Sequence, residues 1–399
     1  MNILQIANKF PYPPKDGGSI ATLSLGKSFA SLGHRVTILA INTSKHFSDP
    51  SRVPADLSAQ IRFISVEVNT EIQIFRLIRN FLFSRMPYNA ERFISPAFDQ
   101  RLRELLSAEK FDIIQLEGLY LAPYIKTIRA YSSAKVVMRA HNIEHEIWHR
   151  TVAQQKGPKK LYIRNLAGRI RRMELNYLNQ YDAVLPITGR DGEMLRKLGC
   201  SLPSHIVPMG INTEELLPDD SRLEFPSVFH IGALDWIPNQ EGLTWFFENV
   251  WGKILEKHPG LQFYLAGRNA PRHFKELPYP NIVFSGEVDD AYEFIRNRAI
   301  MVVPILSGSG MRIKIIEGMA LGKAIVTTSI GTEGIDTTQG RDILIADDPV
   351  QFARYVCDLV ENRNFCMEIG ENARNFVAMH YDNFAITSSL AEFYQTLTG

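Results

Sequence analysis

The sequence predicts an α/β chain built from two doubly wound parallel sheets in tandem. Three observations carry that expectation. Short apolar strand patterns alternate with helical ones along the chain. The first segment already reads strand, helix, strand, which implies a parallel pair joined by a right-handed crossover. The same alternation restarts after a polar, proline-bounded stretch at 212–226.

The elements follow in order. Residues 3–7 form a short apolar strand, and a proline-rich loop at 10–14 leads to Gly17-Gly18. Ser19 stands at the expected N-cap of a helix reaching residue 32, with Ile20, Leu23, Leu25 and Phe29 near helical spacing. Gly33-His34 ends that helix, and 35–41 is the second strand. Further strands are expected at 61–66, 111–116, 135–140, 183–187 and 204–207, with helices near 72–83, 99–107 and 160–179. The stretch 212–226, with Asp219-Asp220 inside it, reads as a domain linker. The second half supplies strands at 228–232, 262–267, 282–285, 299–306, 323–328 and 343–346, and helices at 240–257, 289–297, 314–321 and 350–362. Such sheets bind ligands at the carboxyl ends of their strands, and two facing sheets would hold a ligand in the cleft between them.

Composition narrows the function. Of 399 residues, 44 are Lys or Arg and 43 are Asp or Glu, a net charge of +1 that excludes a globally basic nucleic-acid binder. Cys200, Cys357 and Cys366 form no CxxC pair, so neither a disulfide framework nor a zinc site is expected and a reducing compartment fits. No apolar run approaches the ~20 residues that span a bilayer. The start, Met1-Asn2-Ile3-Leu4-Gln5, runs straight into a strand, so no signal peptide is expected and the location should be cytoplasmic.

The most informative stretch follows the strand ending at Leu306. Ser307-Gly308-Ser309-Gly310 is a run of small residues, and a helix carrying Arg312, Lys314 and Glu317 begins just after it. Glycines let backbone N–H groups approach a ligand, and a helix N-terminus adds free donors and positive potential. Two cations at the same place complete an environment suited to a pyrophosphate. Glu317 lies about a turn further on and can accept the hydroxyls of a ribose.

Gly308-Ser309-Gly310-Met311-Arg312-Ile313-Lys314, then Glu317-Gly318-Met319-Ala320-Leu321-Gly322-Lys323-Ala324-Ile325-Val326, with Gly331-Thr332-Glu333-Gly334 after the next strand, resembles the donor-binding signature of retaining GT-B glycosyltransferases of the family 4 type. The resemblance covers nearly the whole chain. It implies a GT-B fold of two Rossmann-like domains facing a cleft: an acceptor-binding domain over 1–210, a nucleotide-sugar-binding domain over 211–380, and a last helix within 381–399 packing back on the first domain. It implies a hexosyltransferase-type enzyme that moves a sugar from a nucleotide diphosphate sugar to an acceptor hydroxyl with retention, in envelope polysaccharide or glycolipid synthesis. No metal or other cofactor is expected. His141, Arg312 and Lys314 are the expected catalytic residues, with His141, after the strand at 135–140, bonding the donor sugar. Gly17, Gly18, Arg268, Ser309, Gly310, Met311 and Glu317 are the expected donor contacts.

Two positions depart from the family pattern. Ser309 stands where the family often carries a first Glu, and the run from Gly232 to Gly242 lacks the usual Arg and Lys. The phosphate charge must then be met by Arg312, Lys314 and Arg268. The stretch 236–239 is expected to shape the cleft floor and to cap its helix through Asn239. Two other readings stay open: a GT-B-like nucleotide-sugar epimerase, and a non-catalytic nucleotide-sugar-binding protein. A nicotinamide enzyme is disfavoured, because Gly17-Gly18 is not part of a Gly-x-Gly-x-x-Gly fingerprint.

Glu117, at a strand end, could contact an acceptor hydroxyl. His141 and His145 are spaced i, i+4, but HExxH order and a third ligand are missing, so a metal is not expected. Two basic patches break the overall neutrality. Arg76, Arg79, Arg85 and Arg92 are interleaved with apolar residues over 75–93. Lys156, Lys159, Lys160, Arg164, Arg169, Arg171 and Arg172 occupy 156–172 without an acid. Such stretches suit an anionic membrane surface, and with it a peripheral position on the inner face of the membrane and a sugar or lipid-linked acceptor. No RNA-recognition module accompanies them.

Overall fold

A computed structural model describes all residues except Lys15, Lys45, His46, Asp220, Ser309 and Gly310, and the side chains of Ala153, Gln154 and Pro158. Two compact units emerge: Met1–Gly210 together with Ile386–Gly399, and Ile211–Ala385.

The first unit holds a six-stranded parallel sheet of β1 (Asn2–Ala7), β2 (Arg35–Thr43), β3 (Ile61–Val68), β4 (Ile113–Glu117), β5 (Lys135–Ala140) and β6 (Ala183–Pro186). Their order is β3-β2-β1-β4-β5-β6, so the strand order reverses between β1 and β4. The second unit holds β7 (Glu224–Ile231), β8 (Phe263–Ala266), β9 (Ile282–Gly286), β10 (Arg298–Val303), β11 (Ala324–Thr327) and β12 (Leu344–Ile345), ordered β12-β11-β10-β7-β8-β9. Its reversal lies between β7 and β10. Reversal points at the carboxyl edge are where open α/β sheets take ligands. Helices cover both faces, so strands such as β2 are buried along nearly their whole length and read as continuous apolar runs.

Eight of the helices frame the sites and their surroundings: α1 (Gly17–Ser31), α2 (Ile74–Phe83), α3 (Glu144–Gln154), α4 (Gly157–Tyr177), α5 (Ile237–Phe246), α6 (Ile313–Ala320), α7 (Arg363–His380) and α8 (Asn383–Thr398). In the first unit, Ile386, Leu390 and Tyr394 of α8 join the core around Ile3, Phe29, Val36 and Val137. The rings of Phe29 and Tyr394 stack at 5.8 Å. In the second unit, α5 lies so close to the end of β10 that a Cβ on Gly242 would fall 1.6 Å from the Pro304 carbonyl oxygen. Only glycine permits that contact.

Several expectations need correction. The cap of α1 is Asp16, with Ser19 at the third helical position completing a reciprocal capping box. Residues 204–207 make only an isolated bridge, Val184 to Ser204, because Pro203 and Pro208 bracket the segment and cannot donate to a ladder. The strand expected at 299–306 stops at Val303 for the same reason, since Pro304 follows. The helix expected at 240–257 starts earlier, with Trp236 as its cap residue and Pro238 in its first turn, and it passes through a π segment at Phe247–Trp251. Asn239 is therefore inside α5 and does not cap it.

Candidate active site

In the second unit, the site is built around Lys314 in the first turn of α6. No side chain caps this helix; Arg312 is its cap residue. The Lys314 ammonium lies 3.2 Å from His230 Nε2 and donates to Asn239 Oδ1 at 2.9 Å. His230 is fully buried on β7, and its Nδ1 is 2.8 Å from the Val302 carbonyl oxygen. A carbonyl only accepts, so Nδ1 carries the proton and Nε2 is the acceptor facing Lys314. The Asn239 amide is oriented in the same way, because its Nδ2 donates to the Ala233 carbonyl at 2.7 Å. A neutral histidine and an amide oxygen thus hold the ammonium without cancelling its charge. Burial, then the neighbouring Arg312, push the Lys314 pKa down to about 7, against a smaller opposing pull from Glu317. Burial and Lys314 together push His230 well below its ordinary value. Gly232 closes the cradle: a Cβ there would sit 2.5 Å from the Lys314 Nζ.

Arg312 is buried, and its guanidinium lies 5.5 Å from the Trp236 ring centroid. Burial lowers its pKa, partly offset by Glu333. A Cβ on Gly308, whose φ is +103°, would meet Pro238, the Arg312 guanidinium and Trp236 within 3.5 Å. Ser307 Oγ donates to Glu241 on α5 at 2.5 Å, which fixes the start of the glycine loop. Ser309 and Gly310 lie outside the described residues. Met311 packs against the apolar cluster containing Phe229, Met301 and Ile305. Glu317 accepts from the Tyr292 hydroxyl at 3.0 Å and is pushed up by burial, with Tyr292 and Lys314 pulling the other way. Arg268 is exposed beyond β8, and its carbonyl accepts from the Leu234 amide at 3.0 Å.

In the first unit, a cavity of about 360 Å³ opens at the carboxyl ends of β1, β4 and β5, lined by Gly17, Gly18, Glu117, His141, Asn142 and Glu144 among others. An added Cβ would meet nothing nearer than 3.9 Å at Gly17 and 3.6 Å at Gly18, so no protein contact dictates glycine there. The space in front of both belongs to the cavity. His141 Nε2 lies 2.8 Å from Glu117 Oε2. Glu117 is only 3% exposed, and the Arg139 guanidinium is 3.7 Å from the same oxygen. Its other oxygen accepts from Gln115 Nε2. Burial pushes the Glu117 carboxyl up, but the His141 bond, the charges of Arg139 and His141, and Gln115 outweigh it and leave the pKa below the usual range. Glu117 therefore anchors His141, with each of its oxygens already accepting one hydrogen bond inside the fold, while it also lines the cavity where an acceptor hydroxyl was expected to meet it.

Deeper in the cavity wall, the Tyr120 hydroxyl donates to Glu144 at 2.8 Å and accepts from Trp148 Nε1 at 3.2 Å. Burial pushes the Glu144 carboxyl up. His145 is held by Glu174, which also accepts from the Glu144 amide at 3.0 Å. His141 precedes α3, so it shares no helix face with His145. Among the described residues no three His, Cys, Asp or Glu side chains gather as a metal site.

Comparison with known proteins now decides the family. Residues 15–215, half of the chain, match the family described as Glycosyltransferase Family 4, and residues 225–362 match Glycosyl transferases group 1. The chain belongs to glycosyltransferase family 4. Its fold is the GT-B fold. Sucrose-phosphate synthase from Thermosynechococcus elongatus is 17% identical, with coverage of 100% of this chain and 99% of that one and a TM-score of 0.70. Anabaena HepE, solved in complex with UDP and glucose, is 14% identical over 99% of this glycosyltransferase and 100% of its own chain, with a TM-score of 0.65. A Klebsiella pneumoniae relative described as an uncharacterized 44.6 kDa protein in cps region is 24% identical over 97% of this chain and 98% of its own.

Sequence reasoning alone missed His230 and Tyr292 in this glycosyltransferase, together with Tyr120 and Glu144, and it gave Asn239 a capping role where the structure sets its amide oxygen against Lys314. His230 had one usable signal: a histidine two residues before a strand-end glycine, inside an otherwise apolar strand.

Proposed function

We propose that this glycosyltransferase takes a nucleoside diphosphate hexose and transfers the hexose to an acceptor hydroxyl with retention at the anomeric carbon, in the assembly of an envelope polysaccharide or glycolipid. The observation that carries the reading is the Lys314 cradle. Cleaving the sugar–phosphate bond leaves positive charge on the anomeric carbon and negative charge on the departing diphosphate. An ammonium fixed by neutral partners, with the Arg312 guanidinium beside it, meets that charge without reorganising as it develops. In this reading the two cations take the place that a metal ion fills in other transferases.

Glu317, kept in place by Tyr292, is assigned to the ribose hydroxyls, and Arg268 to the outer phosphate. His141 is assigned to a hydroxyl of the transferred sugar. The Glu117 bond to Nε2 leaves Nδ1 as the acceptor side of its ring. Complexes of HepE with UDP and with UDP-glucose support a uridine donor as the first to try. The cps-region relative supports polysaccharide assembly. A cytoplasmic site of action fits a nucleotide-sugar donor.

The experiment is a thermal-shift screen with UDP-, GDP-, ADP- and dTDP-sugars, followed by a transfer assay on Lys314→Met with the donor that binds. Donor at about 100 times its dissociation constant stabilises by about 2.7 kcal/mol, a readily measured shift. Loss of turnover by orders of magnitude in a folded Lys314→Met supports the assignment. Near-normal transfer overturns it.

A further inference from the structure

Helix α2 is amphipathic the wrong way round. Its one buried residue among those described is polar, Asn80. Asn80 Nδ2 donates to the Met86 carbonyl at 3.0 Å and to the Glu91 carboxylate. Its own carbonyl and Oδ1 accept from Arg169 of α4 at 3.0 and 3.2 Å, and Arg169 also reaches the Phe81 carbonyl at 2.6 Å. A polar rung thus fastens the helix to its unit while the apolar rungs face water. Ile74 is 74% exposed, Phe75 79%, Leu82 62% and Phe83 83%. A contiguous apolar surface of this kind marks an interaction site.

Cations ring it. Arg76, Arg79 and Arg85 are exposed on α2 and the turn after it. The Phe81 and Tyr162 rings, 5.8 Å apart, bring the start of α4 alongside, with Lys159, Lys160 and Arg164 exposed around Leu161, itself 61% exposed. The acids on this surface are few: Glu71 is exposed, and Glu91 is already bound to Asn80 and lies 4.0 Å from Arg79. Helix α2 follows β3, whose carboxyl end is on the same sheet edge as the cavity at β1, β4 and β5.

We propose that α2, together with the start of α4, docks this protein on an anionic lipid bilayer, with the phenylalanines and aliphatic side chains in the acyl boundary and the cations among the headgroups. Apolar side chains inside a ring of one charge sign are what an anionic interface selects. A protein partner of mixed charge would be matched by mixed charge here. The inference does not depend on which sugar is transferred.

The test is co-sedimentation of the full chain with phosphatidylcholine vesicles, with and without phosphatidylglycerol. Binding should require the anionic lipid and weaken as salt rises. Phe75→Ser/Phe83→Ser should reduce partitioning at least about tenfold. Arg76→Gln/Arg79→Gln/Arg85→Gln should abolish the preference for anionic vesicles, and this second variant keeps the test decisive if the first fails to fold. No binding to anionic vesicles, or equal binding by both folded variants, overturns the proposal. So does a wild-type dimer that the phenylalanine variant converts to monomer without any vesicle binding, since the face would then join two copies. Neither readout uses sugar transfer, so its failure is distinct from failure of the transferase reading.

Discussion

Glu117 Oε2 lies 2.8 Å from His141 Nε2, and the same carboxylate faces Arg139 inside the fold. The carboxylate therefore has two tasks. It fixes the His141 ring at the cavity, and it balances a guanidinium that is 1% exposed. Glu117→Gln keeps the shape and removes the charge. Breaking a buried pair this way costs about 3–5 kcal/mol, so the thermal midpoint should drop by several degrees. A loosened His141 should lower kcat between about tenfold and a hundredfold. Unchanged stability and unchanged kcat in the purified variant would sink the assignment.

The chain of bonds continues outward to the last helix. Tyr394 of α8 donates to Gln115 Oε1 at 2.5 Å, and Gln115 donates to Glu117. Tyr394→Phe leaves that amide oxygen buried without its donor, a change of about 1–3 kcal/mol in stability. Turnover should fall by less than about tenfold, because Gln115 still has Glu117 as partner. Thermal unfolding and kcat measured on the same preparation check both parts. A loss of turnover as large as that of Glu117→Gln would show that α8 acts on His141 by another route.

The sheets were legible because parallel strands buried on both faces are written as short apolar runs, and 135–140 coincides with β5. Helices α3 and α7 were not anticipated: α3 mixes histidines, acids and Trp148 where an apolar stripe would be needed. At the site, Lys314 and Arg312 were visible because glycines and cations cluster within a few residues. Their surroundings were not. His230 is 84 residues from Lys314 and Asn239 is 75, brought together by the pairing of β7 with β10 and the approach of α5. Local pattern carries no trace of that. The surroundings of Glu117 were equally hidden: a strand-end acid looks outward in sequence, and only the pairing of β4 with β5 brings Arg139 beside it.

Lys314 should impose a pH limb on the reaction. Its pKa is lowered to about 7 by burial first and by Arg312 second, and only the protonated form meets the diphosphate charge. The value of kcat/KM for donor should then be flat below about pH 7 and fall toward one decade per pH unit above it. Bound diphosphate favours the ammonium, so the limb in kcat should lie higher. Lys314→Arg should lack the falling limb up to the highest pH the protein tolerates, since a guanidinium stays charged. An identical limb in the arginine variant would assign the titration to another group.

Gly232 tests the cradle without touching a charged residue. A Cβ there falls 2.5 Å from Lys314 Nζ and 3.2 Å from Asn239 Nδ2. The nearest atom is the far end of a flexible side chain, so Gly232→Ala should fold normally and displace the ammonium instead of the backbone. Donor binding should weaken by about tenfold or more, read by titration with the donor identified in the screen. If the effect runs through Lys314, adding Gly232→Ala to Lys314→Met should change binding little further, because the group it displaces is already gone. Full additivity of the two substitutions would mean that Gly232 meets the donor directly, and that the glycine is kept for the ligand and not for the lysine.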